Sequence, residues 1–582
     1  MYRIPCIIAC FVLALLYSCA NQVAPTGGPK DETPPQLMTS VPKQGQLNFK
    51  GDEIVLEFDE LVRTDNAKEQ FIITPRPTQE YQIKYRKNKV IIQFDKPLED
   101  STTYSINFRE GIKDLTEGNA ADTLRLAFST GHFLDSLSIS GKVKNLLSGS
   151  PASDVMVALY KANDTLDIFN SPPVYLTKTY ADGSYLFENL KNGIYNIYAV
   201  SDKNKNLTLD SKTEKHGFLA EPIQLDTSVT NIDIPIHFLD VREFTLQNAR
   251  QSGTTFNIKY NKYVTDYKLI LPDTTTLTYN NFADDTHTSI QLFKPIDYQD
   301  SILFYIQASD SIETVAVDTL YAKFEPTQRS PVSFTTSTDL KRIVTKTPVI
   351  KAEIKFNKPV RSVNPDSLYI YLDSANVIFM TQENSTWNTT GDILSINQAI
   401  SPDLFVTKTE NQSVPSQFQK PQGVGKITTP EESSPDTKTD TTRSPTVSVP
   451  PHLYMGQGAF ISAESDTSKI FSKDLSFVQP NQLGVILVEI QTEVTNYIVQ
   501  LLSKNTVVAE NINGKAFEFK NIEPGEYRIR VLIDSDNNGK WDIGNIKANK
   551  EPEPVIFYEN SEGNQTVTLR ANWEVGPHVI SF

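Results

Sequence analysis

The chain has 582 residues, of which 39% are hydrophobic and 21% charged, and a formal net charge of −15. That acidity argues against nucleic acid and against anionic lipid faces as partners. The length is too great for one core, so about four domains are expected. The three cysteines, Cys6, Cys10 and Cys19, all fall within the first nineteen residues. A chain cut before Cys19 would keep one thiol and could form no internal disulfide or cysteine–zinc cluster.

Residues 1–18 read as a secretory signal. Arg3 precedes the stretch from Ile7 to Leu16, which is apolar apart from Cys10. The stretch has the length of a signal core and falls short of the roughly 20 apolar residues that cross a bilayer. No later segment reaches that length either. The run Leu16-Tyr17-Ser18-Cys19 resembles the lipobox of bacterial lipoproteins, with Tyr17 bulkier than usual there. The resemblance implies cleavage before Cys19, a lipidated sulfur and attachment to a membrane through acyl chains. Two or more chains are needed for stable anchoring. The alternative is an ordinary signal in which Cys19 is incidental. Loss of Arg3, the one charge in the signal, takes the net charge from −15 to −16.

Residues 19–35, rich in Pro, Gly, Thr and Ala, form a tether with little to pack. Within it, Thr26-Gly27-Gly28-Pro29-Lys30-Asp31 resembles the segment after the anchor in Bacteroidetes lipoproteins with Ig-like domains. That implies an outer-membrane location. Ala20 to Ala24 carry no acid, unlike surface-export signals of that group, which favours the periplasmic side.

Over residues 36–132 the pattern has period two. Ile54, Leu56 and Phe58 alternate with charged or small neighbours, as do Tyr81, Ile83 and Tyr85, then Val90, Ile92 and Phe94. Tyr104, Ile106 and Phe108 follow, then Leu124, Leu126 and Phe128. Half-buried antiparallel strands explain this alternation, and their number predicts a β-sandwich. The runs Phe58 to Arg63, Phe94 to Leu98 and Phe128-Ser129-Thr130 resemble the bacterial Ig-like domain of the S-layer SbsA type.

Residues 136–238 begin a second β unit at Ile139-Ser140-Gly141-Lys142-Val143. Asp182-Gly183 predicts a hairpin turn and Gly193 a bend. With Tyr185, Phe187, Leu190 and Tyr195, the pattern resembles the carboxypeptidase regulatory-like, or prealbumin-like, sandwich. That module accompanies an enzyme and carries no catalysis. Residues 239–328 predict a third sandwich, a β spacer without a family match. The plan then recurs. Phe356-Asn357-Lys358-Pro359-Val360-Arg361 echoes Phe58 to Arg63 at an offset of 298, and Phe519 to Asp542 echoes Phe187 to Asp210 without a gap at an offset of 332. A second Ig-like sandwich is expected over 333–478 and a second prealbumin-like one over 480–582. The former is interrupted by a Pro-, Ser- and Thr-rich insertion, 402–452, whose composition predicts disorder. The expected class is all-β, tandem sandwiches.

The sharpest chemical candidate is Asp534-Ser535-Asp536-Asn537-Asn538-Gly539-Lys540-Trp541-Asp542. Oxygen-bearing side chains at alternate positions, then glycine, suit a calcium loop, with Asp534, Asp536, Asn538 and Asp542 as candidate ligands. An EF-hand needs a bidentate Glu at loop position twelve, and Asn545 stands there, between strands and not helices. The alternative is a polar Asx turn. The first copy, Asp202-Lys203-Asn204-Lys205-Asn206, has two lysines inserted and no glycine. The histidines His132, His216, His237, His287, His452 and His578 are scattered, and no nucleophile elbow or phosphate loop occurs. Paired acids such as Asp59-Glu60 are expected on opposite faces of a strand, unsuited to joint acid–base work. Alternating aromatics suit glycan stacking but also strand packing. Asp followed by Ser or Thr and then an apolar residue, as in Asp135-Ser136-Leu137, resembles the O-glycosylation acceptor of Bacteroidetes exported proteins; the alternative is a turn before a strand. The expectation is a non-catalytic, lipid-anchored envelope protein with no cofactor. Its partners would be the membrane, through the N-terminal lipid, and an envelope protein or glycan. The alternative is a glycan- or peptide-binding module, with or without a calcium requirement.

Overall fold

The computed structural model describes residues 30–121, 123–294, 301–402 and 449–582. Cys19, the signal, most of the tether and nearly all of the 402–452 insertion lie outside them. Among the described residues regular structure is almost entirely strand, and the exceptions are one helical turn, Ala67–Gln70, and three short 3-10 turns. The fold is all-β, made of antiparallel sandwich modules. Alternation drives it: Glu53–Phe58 turns Ile54, Leu56 and Phe58 inward, each at most 1% exposed. Five hydrophobic clusters form, one in each stretch of alternating sequence. The chain divides into two compact units, the first made mostly of residues up to 236 and the second mostly of residues from 237.

In the first unit, the first sandwich sets a four-stranded sheet (Leu37–Val41, Glu53–Phe58, Lys89–Phe94, Tyr81–Arg86, in spatial order) against a three-stranded one (Ile72–Thr74, Thr103–Asn107, Arg125–Ser129). Asp59 and Glu60 fall in the bend after Glu53–Phe58, not on a strand as the sequence suggested, because the chain leaves that sheet at Phe58. In the second sandwich Leu137–Asn145 pairs antiparallel with Ser184–Leu190 and parallel with Ile234–Phe238. Gly183 has φ of 78°, and a Cβ there would lie 2.5 Å from the Val143 carbonyl oxygen. That turn has room for glycine alone.

In the second unit, the sandwich over 244–324 repeats the backbone plan of the first. Phe58 N–H donates to Asn88 O, Tyr260 N–H to Thr288 O and Phe356 N–H to Asp392 O. Val62, Val264 and Val360 donate in the same way to Lys87, His287 and Gly391. The stretch read as an unmatched spacer therefore repeats the backbone plan of the first sandwich, as does the one built around Val349–Phe356. Each copy also fastens the strand that enters it. Asp59 Oδ1 accepts from Gln36 N–H at 2.8 Å, Asn261 Oδ1 from Thr245 N–H at 3.1 Å and Asn357 Oδ1 from Thr335 N–H at 2.8 Å. The last sandwich matches the second: Gly484–Gln491 pairs antiparallel with Ala516–Ile522 and parallel with Glu574–Ser581. Tyr195 Oη donates to Lys191 O at 2.8 Å, and Tyr527 Oη to Glu523 O at 2.6 Å.

Candidate metal centre

Strand Gly525–Ile533 ends against Val555–Phe557, with Leu532 opposite Val555. The loop between them coils around buried carboxylates. Asp534, 5% exposed, accepts from Asn538 N–H at 3.1 Å on Oδ1 and from Gly539 N–H at 2.9 Å on Oδ2. Asp536 Oδ1 accepts a second, longer bond from Asn538 N–H, at 3.2 Å. Gly539 takes φ of 91°, which a Cβ would oppose.

Glu553, 6% exposed, closes the loop from the far side. Its Oε1 accepts from Ser535 N–H at 2.6 Å and Asp536 N–H at 3.2 Å, and its Oε2 from Asp542 N–H at 2.8 Å. One carboxylate oxygen each from Asp534, Asp536 and Glu553 then lies within 4.8 Å of the others. Among the described residues this is the one such group of three or more potential ligands.

Backbone N–H donors and Lys550 offset the crowding of negative charge. Lys550 Nζ lies 3.1 Å from Asp536 Oδ2 and 2.6 Å from Asp542 Oδ2. The Lys550 ammonium holds the Asp542 carboxyl below the usual carboxylate range, and Asp542 with Asp536 raises Lys550 in return. Hard oxygen donors of this kind suit Ca²⁺, which takes six to eight oxygens at about 2.3–2.6 Å.

Of the four residues expected from sequence, Asp534 and Asp536 enter the cluster. Asn538 supplies its N–H to both, and its side-chain amide donates to Asp542 at 3.1 Å. Asp542 faces Lys550. Glu553 lies beyond the twelve-residue loop pattern that the sequence suggested. Asn545, at position twelve of that pattern, instead accepts from Lys547 and Ala548 N–H groups and caps a 3-10 turn. The signal available was an acid two residues before the returning strand. The first copy coils in the same way: Asp202 accepts from Asn206 N–H at 3.2 Å and Leu207 N–H at 3.0 Å. Lys205 and Leu207 take φ of 60° and 62°, matching Asn537 and Gly539 at an offset of 332. The histidines join no cluster of potential ligands among the described residues. His287 stacks on Tyr263 and Phe282, and His452 on Tyr371.

Residues 31–130 match the family model described as a bacterial Ig-like domain. No curated protein matches the sequence. Among solved structures, the S-layer protein SbsC is similar at 10% identity and a TM-score of 0.13, covering 91% of this chain and 67% of its own. BcpA, the major pilin subunit of Bacillus cereus, is similar at 9% identity and a TM-score of 0.13, over 77% of this chain and 99% of its own. A streptococcal ancillary pilin is similar at 11% identity and a TM-score of 0.14, over 42% and 80%. At that degree of overlap these likenesses bear on nothing further.

Proposed function

We propose that the chain is a non-catalytic structural or interaction protein of a bacterial cell envelope, held to the outer membrane by lipid on Cys19. Its sandwiches set a distance from the membrane and present edges and end loops to an envelope partner. The supporting observation is the fastening of each entering strand by Asp59, Asn261 and Asn357. In the third copy the fastening is doubled. Lys262 Nζ lies 2.5 Å from Asp310 Oδ2 and donates to the carbonyls of Arg242 at 2.7 Å and Asp240 at 3.2 Å. Bonds of this kind hold each entering strand to the sandwich it enters, in keeping with a string of well-formed modules. The acyl anchor, the outer-membrane site and its periplasmic side rest on the lipobox-like run and the acid-free residues after Cys19. Calcium held by Asp534, Asp536 and Glu553 would cross-link the last sandwich's long loop, in keeping with a mechanical role.

The test is membrane fractionation with mass spectrometry of the N-terminal peptide. The processed chain is expected in the membrane fraction with an acylated Cys19, and Cys19→Ser in the soluble fraction. An unmodified N-terminal residue, or turnover of a substrate by the pure protein, would remove the proposal. Protease shaving of intact cells decides the face.

A further inference from the structure

Strands Val264–Ile270, Ser301–Asp310 and Val315–Lys323 form one sheet of the third sandwich, in that spatial order. Ile302, Phe304, Ile306, Ala308, Leu320 and Ala322 point into the core, each at most 8% exposed. The opposite face carries Leu303, Tyr305, Val315, Val317 and Tyr321, each between 39% and 68% exposed. Leu303 pairs across the strands with Tyr321, and Tyr305 with both Thr319 and Ile270, so these side chains adjoin. An antiparallel sheet with one wet face normally alternates apolar-in and polar-out. Isolated exposed apolar residues need no account, whereas a joined patch does. This one presents on the order of 400–500 Å², the size at which such patches on monomers are often functional.

The first sandwich shows how this fold uses the same face. There the outward residues are mostly polar, Thr74, Ser105, Asn107 and Arg125 beside Ile72, and a neighbouring sheet covers them. Arg125 bonds Glu188 and donates to Tyr180 Oη at 2.8 Å, while Arg109 donates to Lys178 O at 3.2 Å. In the third copy Leu303, Tyr305, Val315, Val317 and Tyr321 share this face with Ser301, Gln307, Ser309 and Thr319, and strand Val315–Lys323 has a single strand neighbour among the described residues.

We infer that this face docks the same face of a second copy of the chain, across a two-fold axis. Its rim carries both signs, Asp266 and Lys268 on one side and the Lys323–Glu325 ion pair on the other. A rim of mixed sign can set acid against base in a self-complementary pair, despite the net negative charge of the whole chain. The apolar patch supplies roughly half of the about 800 Å² per partner in a standard interface, the rim the remainder.

Sedimentation equilibrium of the full chain after the signal, carrying Cys19→Ser, tests this from about 1 to about 200 µM, the range for a modest interface. A monomer–dimer equilibrium is expected, weakened at least about tenfold by Val317→Lys. Val508→Lys, on an exposed strand of the last sandwich, should leave it unchanged. Tyr321→Ser is the second variant should Val317→Lys lose its fold by circular dichroism. A chain that stays monomeric throughout, or a dimer indifferent to the folded face variant, overturns the inference, whatever other protein binds there.

Discussion

Lys262 occupies a site where an error would be costly. Its side chain is 4% exposed and that of Asp310 is 1% exposed. The ammonium finds three oxygen partners, so the charge is buried but compensated. Lys262→Met would leave Asp310 without its counter-charge and is expected to destabilise the third sandwich by about 3–5 kcal/mol, measured by denaturant titration. Lys358 repeats the device, 2.6 Å from Glu464 and 2.9 Å from Asp466. The first copy departs from it. Glu60 stands there, and burial followed by repulsion from Asp114 pushes its carboxyl above the usual range. At the other end of the chain, burial lowers the His578 imidazole below its usual value. An unfolded imidazole takes its proton near pH 6.5, and the buried one resists to lower pH. The last sandwich should therefore keep this contribution above pH 6.5 and lose it as pH falls through the window beneath. A falling melting temperature between about pH 7 and 5.5, flattened in His578→Gln, is the expected record.

At the scale of the element, the coiled loop after Ile533 invites its own test. Calcium should raise the melting temperature of the last sandwich, and Asp534→Ala with Asp536→Ala should abolish the rise. Glu553→Gln should weaken it, since it removes one of the three converging charges. No shift in saturating calcium would return the loop to an Asx turn. Much of this layer was legible in the sequence. The gapless echo from Phe187 to Asp210 became equal backbone, down to Asn189 and Asn521 at φ of 57° and 59°. Period-two runs became strands because alternation is what a half-buried sheet imposes. Tyr85 is an exception, 53% exposed near the tip of its hairpin. The third sandwich was legible as a sandwich, but its likeness in plan to the first was not, since the sequence signal had shrunk to Tyr260-Asn261-Lys262-Tyr263-Val264. What persists in it is hydrogen bonding by backbone, which composition does not record. Glu553 escaped because it stands eleven positions after Asp542, and the register of the returning strand brings it back.

At the scale of the molecule, apolar content is distributed among separate cores, each complete from strands close in sequence. Domains with cores of their own are expected to open as units. Lys262 and Lys358 give each of two modules an internal gauge of that event. Amine-reactive reagents should label the exposed lysines at once and reach these two when their own sandwich opens. Peptide mass mapping under load or rising denaturant would then report which segment yields first, with no reporter group added to the chain.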